Sequence, residues 1–266
     1  MKNKNKYLSG QELFIKNYKQ EKIFISGARI LVFAAFLIIW ELLSLFELID
    51  PFFFSSPSRI CILFIDMCKN FEIFIHTGIT LYETLLSFLI VNVLSIIVAI
   101  LLLSFNTLSK IAEPYLVILN SLPKSALAPL IIVWLGTGSK TIIVAGISVA
   151  VFGSIINLYT GFLQVDKEKL KLITTLGGSK KDQLFRVIVP SSVPIIISNM
   201  KVNIGLSLVG VIIGEFLAAR RGLGYLIIYG SQIFQLDLLI LSIIILCIIA
   251  LFLYKSIDFI ERYYKK

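Results

Sequence analysis

The chain has 266 residues, 58% of them hydrophobic and only 15% charged, with a net charge of +9. Soluble domains carry about 25% charged residues, and a soluble fold of this length has too little interior to hide the apolar surplus, so the expected solvent is a bilayer. The basic excess would also suit nucleic acid. Here it lies at the edges of apolar runs, where it fixes orientation in a membrane, so lipid and not nucleic acid is the expected partner.

Residues 1–28 are polar and Lys-rich, with Leu13, Phe14, Ile23 and Phe24 interspersed. This pattern is open to two readings, an interfacial amphipathic helix or a disordered tail. The apolar run Ile30–Leu48 reaches the roughly 20 residues that cross a hydrocarbon core and is too long for a signal-peptide core. Residues 50–78 form the longest external segment, with a short surface helix expected over Ser58–Ile75. Its His76 reads as an interfacial imidazole that seats the next span. Further apolar runs follow at Ile79–Leu103, Tyr115–Leu135, Thr141–Phe162, Pro194–Leu217 and Leu236–Tyr254. The expected fold is all-α, a polytopic membrane protein with six transmembrane helices. Its parts are a basic tail over 1–28, a transmembrane domain over 29–258 that includes a loop at 163–190, and a short tail over 259–266.

Six spans place both termini on one side. Of the 25 Lys and Arg residues, only Arg59, Lys69, Lys140, Arg220 and Arg221 fall on the other side, with Lys124 and Lys201 inside or near spans. Lys-rich and Arg-rich short loops stay inside, so both termini are expected to be cytoplasmic. Cys61, Cys68 and Cys247 form no CxxC pair. One histidine with scattered carboxylates supplies neither a metal site nor a catalytic cluster, so no enzyme activity and no bound cofactor are expected of this chain. Residues 136–141, GTGSKT, depart from a phosphate loop because Ser139 separates Gly138 from Lys140. They read as a tight external turn.

The Tyr115–Leu135 run is irregular, with Pro123, Lys124 and Pro129 within membrane reach. Proline removes a backbone donor and clashes with the preceding turn, and the freed carbonyls need partners in lipid. Either this is a packing kink or a broken helix lines a pathway. Span five carries a stripe of Asn199, Asn203, Ser207, Gly210 and Gly214 at helical steps. The glycines suit close helix approach, while the asparagines are costly in lipid and need a partner or water. Glu215 near the end of that span needs a partner too, with Arg220, Arg221 and Lys124 as candidates. Glu41 in the first span is expected to pair with a neighbouring helix. If a small anion comes to this break, Lys124 is placed to attract it.

The loop after span four is the most patterned segment. Asp166 is suited to cap a helix start, Leu170, Ile173 and Leu176 recur at helical spacing, and Gly177 and Gly178 stop that helix. Ser179 and Asp182 form a capping-box variant that starts a second helix, with Leu184, Phe185 and Ile188 on its apolar face and Pro190 at its end. Such a hairpin either packs back on the bundle or presents an apolar knob to another protein.

Here the residues resemble a known family. Gly177, the nine residues after it and the VIVP of 187–190 are similar to the E-A-A, three residues, G, nine residues, I-x-L-P signature of ABC importer membrane subunits; Lys171, Leu172 and Ile173 replace its E-A-A. The segments FSSPS, HTGITLYETLLSF, LPKSALAPLIIVWLGTGSK, TLGGSKKDQLFRVIVPSSVP and GEFLAARRGLGYLI follow in the order of the nitrate, sulfonate and taurine type of permease. Glu83 stands where a basic residue is usual, and Lys201 where arginine is. The resemblance implies a type I importer fold in the bacterial cytoplasmic membrane. It implies a second permease subunit as a homodimer partner, a pair of ATPase subunits that bind the ATP, and an external binding protein that delivers a small solute. Leu172, Thr175, Leu176, Gly177, Gly178, Ser179, Asp182 and Phe185 would make the contact with the ATPase. Pro123, Lys124, Asn199, Asn203, Ser207 and Glu215 are the candidate pathway or gate residues. A vitamin-precursor pyrimidine is the alternative solute. A stand-alone secondary transporter is the alternative function; it would show internal repeats and buried ion-coupling residues.

Overall fold

The structure, a computed structural model, describes residues 10–264, and every regular element among them is a helix. These residues fall into two compact units divided after Leu63.

The first unit contains α1 (Gly10–Leu45), α2 (Pro51–Phe54) and the start of α3 (Pro57–Lys69). No proline interrupts α1, and it runs unbroken across the boundary drawn at residue 28. From Gly10 onward the basic tail is helical and continuous with the apolar run; residues 1–9 lie outside the described residues. The most apolar window of α1 has none of its residues buried. Glu41 does pair with a neighbouring helix, accepting the Ser58 N–H at 3.0 Å in the first turn of α3. Free N–H groups and the helix dipole favour a carboxylate there.

The second unit begins at Phe64. The surface helix α3 stops at Lys69, short of Ile75, because Phe71 takes a left-handed conformation (φ 58°) and turns the chain into α4 (Glu72–Ser104). Then follow α5 (Asn106–Ser121), α6 (Lys124–Leu135), α7 (Ser139–Leu163), α8 (Lys167–Thr175), α9 (Lys180–Gln183), a π-helical turn (Leu184–Ile188), α10 (Val189–Ser191), α11 (Val193–Ala218), α12 (Leu223–Gln232) and α13 (Leu236–Tyr264). Among the described residues, five helices are long and apolar enough to cross a bilayer, or six when the bent pair α5 and α6 counts as one. The bend is 96° and falls at Leu122–Pro123, as expected of a proline. Pro129 and Pro114, by contrast, sit inside α6 and α5 without breaking them.

At the centre, α7 packs along both α4 and α11. Val91, Ala150 and Ile155 form one core cluster, Leu158, Phe162 and Ile188 another, and Ile142 and Val211 a third. Lys201 of α11 reaches α13, where it pairs with Asp258 at 2.5 Å and with Glu261 and lies over the Tyr254 ring. The helix α12 was not foreseen; its apolar run LGYLIIYG buries Leu223 and Leu226 and packs on α13.

Candidate functional site

The 163–190 loop folds as the capping chemistry dictates. The Asp166 carboxylate accepts the Glu168 N–H at 2.8 Å and opens α8. Gly177, at φ 80°, supplies the left-handed residue that closes it, and the Gly178 N–H returns to the Ile173 carbonyl at 2.8 Å. Ser179 and Asp182 form a complete capping box at the head of α9. The Gln183 side chain ties the arms together, donating to Thr174 Oγ1 at 2.7 Å and to the Leu170 carbonyl at 3.3 Å. Pro190 does not end the second helix. Lacking an N–H for the carbonyl four residues back, it is preceded by a π turn in which the Val189 N–H reaches Leu184, and the helix continues to Ser191.

The hairpin packs back on the bundle with one face and leaves another exposed. Leu170, Leu184 and Ile188 pack against Leu158 and Phe162 of the bundle. Leu172, Leu176 and Phe185 are 58%, 74% and 63% exposed, and Thr175 beside them is exposed too. The result is a braced platform with an apolar outer face.

Both the Ser179 hydroxyl and its N–H donate to Asp182 (2.7 and 2.9 Å). Together with Arg186 at 3.1 Å they hold the Asp182 carboxyl below its ordinary pKa of 3.8. A depressed native value means the box is at full strength above the ordinary carboxylate range and weakens as pH falls through the native pKa. Asp182→Asn is expected to imitate the acid form at neutral pH. Amide exchange across Lys180–Gln183 should be faster than in the parent, and the difference should close as the pH is taken below the native value.

At the bend, Lys124 Nζ donates to the Leu119 carbonyl at the end of α5 and lies 5.0 Å over the Phe152 ring. The lysine thus satisfies a carbonyl left open by the break, the need that lipid imposes there. The span-five stripe faces α4 and α7. Asn199 donates to Ser154 at 2.7 Å and accepts from Asn157 at 2.9 Å; Asn203 donates to Asn92 and to Ser154, both at 2.9 Å. Asn199, Asn203 and Ser207 are buried; in this conformation the two asparagines are rungs between helices, and the Ser207 hydroxyl has no hydrogen-bond partner. Asn92, Ser154 and Asn157 were missed in the sequence, although each is a polar residue inside an apolar run.

Glu215 does not meet the cations proposed for it. Its carboxylate accepts the Thr80 hydroxyl at 2.7 Å and the Gly224 N–H at 2.5 Å, because Thr80 stands opposite it on α4 and the Gly222–Gly224 turn folds over it. His76 seats α4 by accepting the Gly222 N–H at 3.0 Å, and Thr80 also accepts the Leu223 N–H at 2.8 Å. The GTGSKT segment is a turn: Gly138 donates to Ala218 at 3.1 Å, and Thr141 caps Gly136 at 2.5 Å. Beside these turns, at the ends of α4, α7 and α11, opens a pocket of about 520 Å3 lined by Tyr82, Glu83, Ser139, Ile142, Arg220 and Arg221, among others.

Residues 91–266 match the family described as binding-protein-dependent transport system inner membrane component. The chain belongs to that family. A probable ABC transporter permease protein of Haemophilus influenzae is 29% identical over 87% of this chain and 94% of its own. The formylaminopyrimidine transport permease protein ThiX of Halalkalibacterium halodurans is 27% identical over 73% of this chain and 77% of its own. Among solved structures, the inward-facing MetNI methionine ABC transporter superposes with a TM-score of 0.61 at 18% identity, covering 70% of this chain and 93% of that one, which shows a shared fold. The chain is a permease subunit of an ABC importer, a membrane protein whose matched region takes in α7, the hairpin and everything after it.

Proposed function

We propose that this permease pairs with a second copy of itself and that the hairpin 163–190 is the handle by which ATPase subunits drive it. The observation that carries this reading is the exposed apolar face of Leu172, Leu176 and Phe185 on a hairpin braced by two caps and by Gln183. A rigid element of this kind transmits force and offers an anchor for a groove. Both termini and the hairpin lie in the cytoplasm, on the strength of the Lys and Arg distribution. ATP is bound by the partner and not by this chain. An external binding protein delivers the solute at the opposite end, where the Gly136–Ser139 and Ala219–Gly222 turns lie.

ATP binding closes the ATPase pair, the hairpins move with it, and the bundle alternates between inward-open and outward-open arrangements. The Asn199 and Asn203 rungs and the buried Ser207 take a pathway role only in a state that parts α7 from α11. The bend at Pro123 and Lys124 is the second candidate wall. The order of the sequence segments supports a sulfonate or taurine-like solute, and the Halalkalibacterium relative supports a pyrimidine.

The test is co-expression with candidate ATPase and binding-protein subunits of the same organism, followed by reconstitution in liposomes. Co-purification of the ATPase and uptake that requires ATP are expected. Uptake by the permease alone, without ATP, would make it a secondary transporter and overturn the reading.

A further inference from the structure

The pocket at the ends of α4, α7 and α11 is not explained by the hairpin or by helix packing. Its volume of about 520 Å3 lies in the range of small-molecule sites. Glu83 stands in its wall with no exposed surface, and neither carboxylate oxygen has a hydrogen-bond partner. Ser139 and the Glu215 carboxyl are its polar neighbours. Glu215 is itself engaged by Thr80 and Gly224. A buried carboxylate without a partner is tolerated where a cation or donor completes it. Tyr82 also lines the wall, and an aromatic ring suits an ammonium group. The same pocket has Arg220 and Arg221 on its lining, both exposed, and guanidinium groups suit carboxylates and sulfonates.

We propose that this pocket is a solute site of the permease itself and that it selects a zwitterion. Glu83 receives the ammonium group, and Arg220 and Arg221 receive the acid group. A simple anion meets Glu83 unfavourably and a simple cation leaves the arginines unused, so the arrangement discriminates against both. The proposal rests on reading this end as the external mouth of an importer, and it names the charge class that such a mouth admits.

The test uses the full-length chain in lipid nanodiscs and calorimetric titration with three probes. Taurine carries an ammonium and a sulfonate, isethionate a hydroxyl and a sulfonate, and ethanolamine an ammonium alone. Taurine is expected to bind about tenfold tighter than either of the others, the value of one charge-assisted contact. Glu83→Gln should erase the preference over isethionate, and Arg220→Gln with Arg221→Gln should erase the preference over ethanolamine. Equal binding of isethionate and taurine by the parent, or no binding of any probe by the folded chain, overturns the proposal. So does a Glu83→Gln variant that shifts only the melting temperature, because Glu83 would then merely offset the N-terminus of α7. ATP-driven uptake by the assembled transporter is read separately. If it persists while the pocket binds nothing, the importer reading stands and this site falls.

Discussion

Gly210→Ala is expected to destabilise the folded permease by about 3 kcal/mol, the upper end of what overpacking costs. A Cβ at this position would stand 2.8 Å from the Gly146 Cα and 2.9 Å from the Ala145 carbonyl oxygen. Both atoms are backbone of α7, so no side chain can rotate away and the two helices must part. That separation also stretches the Asn199–Ser154 and Asn203–Ser154 hydrogen bonds, at 2.7 and 2.9 Å, which lie on the same contact between α7 and α11. In a bilayer, association of helices depends on close packing and on such bonds, since lipid is as apolar as leucine. Gly205, on the same helix, has nothing within 4 Å of its Cβ position. Gly205→Ala should therefore be neutral or mildly stabilising, by up to about 1 kcal/mol of helix propensity. Thermal melting of the two variants in detergent checks the contrast, and a Gly210→Ala protein that melts with the parent would refute the account.

Gly178→Leu is expected to cut ATP-driven uptake severely while leaving insertion and melting of the bundle close to the parent. A Cβ at Gly178 would meet the Ile173 Cγ2 at 2.5 Å and its carbonyl oxygen at 2.9 Å, the same carbonyl that accepts the Gly178 N–H. The corner must open, and the outer face of Leu172, Leu176 and Phe185 loses its geometry. A distortion of about 1–3 kcal/mol in the element that links two proteins corresponds to roughly 5- to 150-fold in coupling. At the neighbouring Gly177 the demand is conformational, with φ at 80° and open space around it. Gly177→Asn should be tolerated, since asparagine reaches the left-handed region most easily after glycine. Uptake and ATP hydrolysis measured on the same proteoliposomes decide the matter. Parental uptake by Gly178→Leu would show that the corner does not carry the drive.

These two glycines also mark how far the sequence could be read. The corner at Gly177 and Gly178, the Asp166 cap and the Ser179–Asp182 box were legible because each is a contact between residues a few positions apart. The break at Pro123 was legible for the same reason, a missing N–H being a property of one residue. Helix ends were less so: α1 began within the polar tail, α4 began at Glu72 and not at Ile79, and Pro190 was absorbed by a π turn. Apolarity marks where a helix lies in lipid and not where its hydrogen bonding stops.

The partners of the polar residues were not legible. Glu215 meets Thr80 across 135 positions, and Asn203 meets Asn92 across 111. Nothing local distinguishes those partners from Arg220 or Lys124, which lie nearer in the sequence or carry the complementary charge. The pocket that unites Glu83 with Arg220 and Arg221 had no signal in the sequence beyond the oddity of Glu83. By itself the sequence determined the solvent, the helical spans and the hairpin, since composition, periodicity and capping act over one or two turns. Only the tertiary structure decided which buried polar groups face one another, because α4, α7 and α11 are brought together by the packing of distant segments.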